Sequence, residues 1–379
     1  MRRIAYLTGT RADFGLMLST LRRLRATPGV EVTVFVTGMH LSAAYGDTVR
    51  EVEASGLPIA ASVPISIDER TPEAMANAIG QAVQGLTQAL SVHRPDLLIV
   101  LGDRGEMLAG AIAALHLGIP IAHLHGGERS GTVDEPIRHA ITKLSHVHLV
   151  ASEESRDRVV RLGESPEQVH VVGAPSLDDI VGRRPVARAA LMQRLGLPSE
   201  ARYALVLFHP VVQEAQQAGR QTRALVQALR DEALAQGLHA VWLAPNADAG
   251  AVAIVEEMRR ASADRLRCFT HLPREDYLDA LEGAEVLLGN SSSGIIEAAS
   301  FGTPVVNVGS RQRLRQRNAN TIDCEADAPA IAAALRRALQ NGRYARDNVY
   351  GDGRAGARIA NLLATHPLPR SLLDKTNAY

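Results

Sequence analysis

Residues 97–125 read LLIVLGDRGEMLAGAIAALHLGIPIAHLH, and this stretch decides the fold. Leu97–Leu101 is a short, wholly apolar run, the mark of a strand buried on both faces. Gly102-Asp103-Arg104-Gly105-Glu106 interrupts it with glycine and charge. Glu106–Leu117 then repeats apolar residues at helical spacing, and Ile119–His125 returns to a strand pattern. A strand, a helix and a second strand in so short a span make a crossover unit, which implies a parallel sheet with helices on its faces.

The same alternation runs outward in both directions. Arg3–Thr8, Val30–Thr37, Val147–Ala151 and Val169–Val172 also read as strands. Leu16–Leu24, Met75–Leu90 and Glu153–Leu162 read as helices. Gly173-Ala174-Pro175, Gly182-Arg183-Arg184-Pro185 and Leu197-Pro198-Ser199 then mark a connecting region. Beyond it the pattern restarts, with strands at Tyr203–Phe208, His239–Leu243, Leu266–Thr270, Val286–Gly289 and Pro304–Val308. Helices are expected at Thr222–Leu234, Ala251–Met258, Arg274–Leu281, Gly294–Ser300 and Ala328–Leu339. The interruption argues against an eightfold barrel of evenly spaced units. The expectation is an α/β chain of two doubly wound parallel-sheet domains, 1–180 and 181–365, facing a central cleft. The polar tail 366–379 is expected to be poorly anchored.

Composition narrows the function. At 379 residues the chain is long enough for two domains. Its 41 basic and 41 acidic residues cancel, which leaves no basic footprint for a nucleic acid. Lys143 and Lys375 are the only lysines among the 41 cations, so any phosphate site must use arginine or backbone amides. Aromatic residues make up 3% of the chain, too few for stacked-base recognition. No apolar run reaches membrane-spanning length, and the apolar stretch after Arg2-Arg3 ends at Thr8-Gly9-Thr10-Arg11, too short for a signal sequence. Two isolated cysteines, Cys268 and Cys324, exclude a disulfide framework and fit a cytoplasmic location.

In open α/β sheets ligands bind beyond the carboxyl ends of the strands, so the residues there carry the functional reading. Arg11 follows the first strand and suits a phosphate, or else an ion pair with Asp13. Asp103 follows Leu97–Leu101 and is either a reacting group or a cap for the next helix. His123 and His125, two apart on a strand pattern, share a face, with Glu128 nearby. They suit acid–base work better than a metal, because the spacing is unlike any familiar zinc motif. Asp134 and Glu135 stand either at a reaction centre or in the first turn of a helix. His209-Pro210 and Asn246 follow the first two strands of the second half. Asn290-Ser291-Ser292-Ser293-Gly294, with Glu297 beyond, is either a phosphate loop at a helix N-terminus or a capping box. Of the downstream arginines, Arg311 is the one placed at a strand end.

Taken in order, several of these motifs resemble the UDP-N-acetylglucosamine 2-epimerases. They are Thr8-Gly9-Thr10-Arg11-Ala12-Asp13-Phe14-Gly15, Gly102-Asp103-Arg104, Gly126-Gly127-Glu128 through Asp134, Phe208-His209-Pro210, and Gly289-Asn290-Ser291-Ser292 through Phe301-Gly302-Thr303-Pro304. Arg11-Ala12-Asp13 looks like the hydrolysing branch. The resemblance spans residues 3–345. It implies two Rossmann-like domains of the GT-B type, with a C-terminal helix crossing back to the first. It also implies loss of the C2 proton, expulsion of UDP to leave a 2-acetamidoglucal, and hydration to N-acetylmannosamine, with no metal or redox cofactor. By the same resemblance Asp103, Asp134 or Glu135, and His209 match catalytic positions. Arg11, Ser291, Ser292, Glu297 and Arg311 match nucleotide-binding positions, and His271 to Tyr277 falls where relatives contact the base. Many relatives carry Glu where His125 stands, and Glu128 can take that acidic role. A diacetylbacillosamine linked to UDP or GDP is the alternative substrate, a GT-B glycosyltransferase the alternative enzyme. The nucleotide sugar is the expected partner, together with further copies of the chain in a homodimer or homotetramer.

Overall fold

The computed structural model describes every residue except 70, 263 and 264. The described chain divides into two compact units. The first comprises Met1–Glu128, Val133–Val181 and Tyr350–Tyr379; the second comprises Arg129–Thr132 and Gly182–Val349.

The first unit carries β1 (Arg2–Thr8), β2 (Val30–Thr37), β3 (Ile59–Val63), β4 (Leu97–Leu101), β5 (Ile121–Leu124), β6 (Val147–Val150) and β7 (Val169–Val171). Their order is β3-β2-β1-β4-β5-β6-β7, and every pair is parallel. All five residues of β4 are buried, as its apolar run requires. One face of the sheet packs Tyr6, Val34, Ile99 and Leu149 under the helix Arg11–Ala26 and its neighbour Ala355–Thr365. The other packs Leu7, Val100 and Ile121 under the helices Pro72–His93 and Gly105–His116. Helix starts are written in the sequence. Thr10 and Asp13 form a capping box, and Thr71 caps the helix that opens with Pro72.

The second unit carries β8 (Tyr203–Leu207), β9 (His239–Leu243), β10 (Leu266–Phe269), β11 (Val286–Gly289), β12 (Val305–Val308) and β13 (Thr321–Cys324). Their order, β10-β9-β8-β11-β12-β13, repeats the first six strands of the other sheet. Trp242, Leu288 and Leu335 lie in its core. Both sheets are therefore doubly wound and parallel, as the sequence led us to expect.

Four segments depart from the expectation. Two strands, β3 and β13, were not expected; both are edge strands with half-exposed residues and no apolar run. The block 350–365 belongs to the first unit, not to the second domain as the 181–365 boundary had it. Asp178 anchors it, accepting from the amides of Ala355 and Gly356 at 2.8 Å each. The tail is also held, against its expected looseness. Lys375 Nζ donates to the carbonyls of Thr142 (3.2 Å), Lys143 (2.8 Å) and Ser145 (2.6 Å), and the Ala378 amide donates to Gly163.

Lys375 also reaches Glu164 at 2.5 Å, as Lys143 does at 2.7 Å and His148 at 2.9 Å. Burial alone would raise the Glu164 carboxyl, but these three donors outweigh it and hold the group at about 2. A carboxyl depressed in the folded state adds stability above its unfolded value of 4.5 and loses it as pH falls towards about 2. Urea unfolding should therefore show Lys375→Met clearly less stable than the parent chain at about pH 5, with the gap narrowing at about pH 3.

Candidate functional site

In both sheets the winding direction reverses between the first and fourth strands in sequence, β1/β4 and β8/β11. Such a reversal opens a crevice at the carboxyl ends of the strands. Arg11 and Asp103 follow β1 and β4, His209 and the Asn290–Gly294 loop follow β8 and β11, and the other candidates follow neighbouring strands; each unit is described in turn.

In the first unit the turn after β1 is organised by Asp13. Its carboxylate accepts from the amides of Gly9 (3.1 Å) and Thr10 (3.0 Å), from the Thr10 hydroxyl (3.1 Å) and from the Thr8 hydroxyl. Burial outweighs these bonds and pushes its pKa up to about 6. His40 sits between the hydroxyls of Thr8 and Thr48, 2.9 Å from each, and burial pushes it down to about 4, so the ring is neutral. Glu106 backs the turn closely: a Cβ on Gly9 would lie 3.2 Å from its side chain. Arg11 opens the following helix, and burial lowers its pKa while the charge of Glu51 acts the other way. The Arg11–Asp13 ion pair weighed above is not made, because Asp13 turns inward to its capping box.

Asp103 follows β4. It does not cap the next helix, whose N-cap is Arg104; it binds the guanidinium of Arg138 instead. Arg138 is wholly buried and also donates to the Glu128 carbonyl at 2.8 Å. It lies one turn into the helix Asp134–Leu144, which Asp134 and Glu135 open; acidic residues suit that end of a helix dipole. Glu135 lies 3.6 Å from His139.

The two strand histidines separate. His123 is within β5, with Nε2 2.8 Å from the Gly102 carbonyl and Nδ1 3.1 Å from the Thr142 hydroxyl. Burial pushes it down to about 3, so it is neutral and carries its proton on Nε2, the only arrangement in which Gly102 receives a donor. His125 lies past the strand end at φ 60°, so it does not share a face with His123. Its Nδ1 stands 2.5 Å from Glu128 Oε1, and both residues are buried. Gly127 accounts for this turn: at φ 76°, a Cβ there would meet the Ser155 carbonyl at 2.3 Å.

In the second unit Asn290 organises the switch point. Its Oδ1 accepts from the His209 amide at 2.7 Å and its Nδ2 donates to the His209 carbonyl at 2.8 Å, so one buried amide brackets the histidine. The approach is close because β11 ends in Gly289 at φ 142°, where a Cβ would lie 1.9 Å from the Leu207 carbonyl. The Asn246 amide donates to His209 Nδ1 at 3.2 Å, which leaves the proton of the neutral ring on Nε2. Arg311 and Gln312 both donate to the Asn290 carbonyl, at 3.2 and 3.1 Å.

Ser291 caps the helix Ser292–Ile296, on which Ser293 and Gly294 lie. Glu297 does not complete a capping box. It follows that helix, accepts from the Ser293 hydroxyl at 2.5 Å and pairs with Arg274 at 2.6 Å. The helix expected over 294–300 is thus shorter and continues as a 3-10 turn over Ala298–Phe301. Tyr277 joins Ser293 in the same group. His271 stands two residues beyond the end of β10. Among the described residues no three His, Cys, Asp or Glu side chains come together to hold a metal ion. Nor is any described helix long and apolar enough to cross a membrane.

Two polar strand-end crevices on doubly wound sheets are the layout of nucleotide-binding α/β enzymes. The family model for UDP-N-acetylglucosamine 2-epimerase matches residues 22–364, and the chain belongs to that family of nucleotide-sugar 2-epimerases. It is 46% identical, over the full length of both chains, to the UDP-N,N'-diacetylbacillosamine 2-epimerase (hydrolyzing) of Legionella pneumophila. It is 33% identical to the UDP-N-acetylglucosamine 2-epimerase of Neisseria meningitidis serogroup B, over 93% of this chain and 92% of that one. Among solved structures, the UDP-GlcNAc 2-epimerase from Neisseria meningitidis bound to UDP-GlcNAc superposes with a TM-score of 0.77 at 15% identity, covering 96% of this chain and 99% of that one. The S. aureus MnaA–UDP co-structure gives 0.77 at 20% identity, covering 96% of each chain. The resemblance read from the motifs is borne out, and so is the GT-B-type pair of parallel-sheet domains.

Two predictions follow from the buried polar contacts. Arg138→Met removes one partner of a buried ion pair and should cost about 3–5 kcal/mol in urea unfolding. Asn290→Ala, which unbrackets His209, should cost about 1–3 kcal/mol by the same measurement.

Proposed function

We propose that this chain is a hydrolysing 2-epimerase of UDP-N,N'-diacetylbacillosamine, converting it with water to UDP and the free 2-epimeric sugar. The observation that carries this reading is the full-length 46% identity to the Legionella pneumophila enzyme, against 33% to the Neisseria meningitidis UDP-N-acetylglucosamine 2-epimerase. UDP-N-acetylglucosamine itself, with N-acetylmannosamine as product, is the second reading. The chemistry is the same for both. A base takes the C2 proton, the C1–O bond to UDP breaks to leave a C1=C2 double bond, a 2-acetamidoglycal, and water adds across that double bond. Hydration places oxygen on C1 and a solvent proton on the other face of C2.

In this reading the first unit supplies the proton chemistry. The carboxylate of Glu128 fixes Nδ1–H of His125, which makes Nε2 the basic nitrogen, as an oriented His–carboxylate pair does in other enzymes. Asp103, Asp134 and Glu135 are the remaining acid–base groups, with Asp103 oriented by Arg138. The second unit holds the nucleotide. Ser291, Ser292, Ser293 and Gly294 offer hydroxyls and amides to the diphosphate, and Arg311 adds positive charge as the leaving group departs. Glu297 suits the ribose hydroxyls, Asn246 and His271 complete the nucleotide contacts, and His209, with its proton on Nε2, is the catalytic histidine that offers this proton to the departing diphosphate. The reaction needs no metal or redox cofactor, and the enzyme acts in the cytoplasm as a homodimer or homotetramer.

Incubation with a panel of UDP- and GDP-linked diacetylbacillosamine and N-acetylglucosamine in deuterated water, followed by proton NMR, tests the proposal. The expected result is released UDP and the free epimer with deuterium at C2, fastest with UDP-N,N'-diacetylbacillosamine. Faster turnover of UDP-N-acetylglucosamine supports the second reading, and an epimer still attached to UDP sinks both. Asp103→Asn should lower turnover by about a thousandfold or more with UDP affinity nearly intact, whereas Arg311→Ala should weaken UDP binding about tenfold or more by calorimetry.

A further inference from the structure

The chain spends its two lysines in one place. Lys143 and Lys375 both pair with Glu164, a carboxylate whose side chain is 1% exposed, while the other 39 cations are arginines. They do not do the same thing there. Lys143 otherwise reaches the Leu162 carbonyl at 3.1 Å and Asn377 at 2.8 Å. Lys375, from the C-terminal tail, instead closes the end of the helix Asp134–Leu144 through the carbonyls of Thr142, Lys143 and Ser145. A helix C-terminus presents such carbonyls without partners and favours a cation. A compact ammonium with three diverging donors suits three carbonyls with a carboxylate beside it as counter-charge; a planar guanidinium fork does not.

That helix touches the reaction residues at its other turns. Arg138 holds Asp103 and the Glu128 carbonyl. The Thr142 hydroxyl stands 3.1 Å from His123 Nδ1 and 3.0 Å from the Arg138 carbonyl, two acceptors for its one proton, and His123 Nε2 donates to the carbonyl of Gly102, the residue before Asp103. A continuous set of polar contacts therefore runs from the tail through Thr142 and His123 to the Asp103 turn, within one unit of the fold. We propose that Lys375 is a positioning residue for the epimerase reaction, its seat on the Asp134–Leu144 helix setting the Asp103 turn through Thr142 and His123. The inference rests on the assignment of Asp103 to the reaction but not on which sugar is the substrate.

The test uses the full chain and the nucleotide sugar that the unaltered chain converts. Lys375→Met should lower kcat about tenfold or more with KM within about twofold, and amide hydrogen exchange at 102–104 should quicken about tenfold. Lys143→Met, which removes an ammonium from the same carboxylate but none from the helix end, should leave kcat within about twofold. Thr142→Val leaves the tail seated and cuts the network at its middle, so it should lower kcat in the same way. Because both act through one path, the double variant should lose several-fold less than the product of the two single losses. Unchanged exchange at 102–104 in folded Lys375→Met, or losses that simply multiply, would overturn the proposal. The exchange measurement needs no substrate, so it decides the matter even if the substrate reading fails.

Discussion

Parallel pairing is the constraint on which the rest of this structure depends. A parallel strand can follow its neighbour only through a crossover, so all carboxyl ends lie along one edge of the sheet. Once the order runs β3-β2-β1-β4-β5-β6-β7, the turns after β1 and β4 flank the point of reversal. Asp13, Glu106 and Asp103 reach the point of reversal because of where their strands stop. The second sheet repeats the order and places His209 and Asn290 in the same relation after β8 and β11.

The charged groups gathered at such edges are buried, and burial penalises each unless donors and acceptors surround it. The structure meets that penalty differently at three sites. Arg138 pairs with one carboxylate and donates to one carbonyl, which joins the two segments they belong to. Glu164 is surrounded by three cationic or ring donors and stays ionised, held at about 2. Asp13 has four donors, all neutral, and burial still prevails, pushing it up to about 6. At Asp13 the donors orient the carboxylate without offsetting burial; at Glu164 the two ammonium groups and the His148 ring offset it. This difference separates a turn organiser from a permanent ionic anchor.

How much was legible follows from the same physics. Strands buried on both faces announce themselves as apolar runs, so β4 and β8 could be read to the residue at most of their ends. The edge strands β3 and β13 bury little, and IAASV and TIDC carry no such run. Strand-end glycine beside a polar or ionisable group marked Arg11, Asp103 and the Asn290–Gly294 loop, and position at a strand end marked His209. Arg138 gave no signal, because a helical arginine is ordinarily solvated and its partner lies 35 residues away. His125 was misjudged for a local reason. A two-residue spacing puts side chains on one face only while the strand lasts, and the Gly126-Gly127 turn ends it at Leu124.

The tail carries a more general point. Residues 366–379 are polar, and polarity was read as weak anchoring. That inference holds only where no polar partner is within reach. A helix end is a concentrated source of carbonyls with spare acceptor capacity, and the Asp134–Leu144 helix with its C-cap Ser145 presents those of Thr142, Lys143 and Ser145 beside the buried carboxylate of Glu164. A single lysine arriving there gains several charge-assisted bonds at once, while its stem shields them from water. A polar segment is therefore drawn to a helix terminus for the reason that an apolar one is drawn to a core: each leaves water for groups that match it. Composition reports the affinity of a segment for water, and topology decides whether something better than water lies nearby.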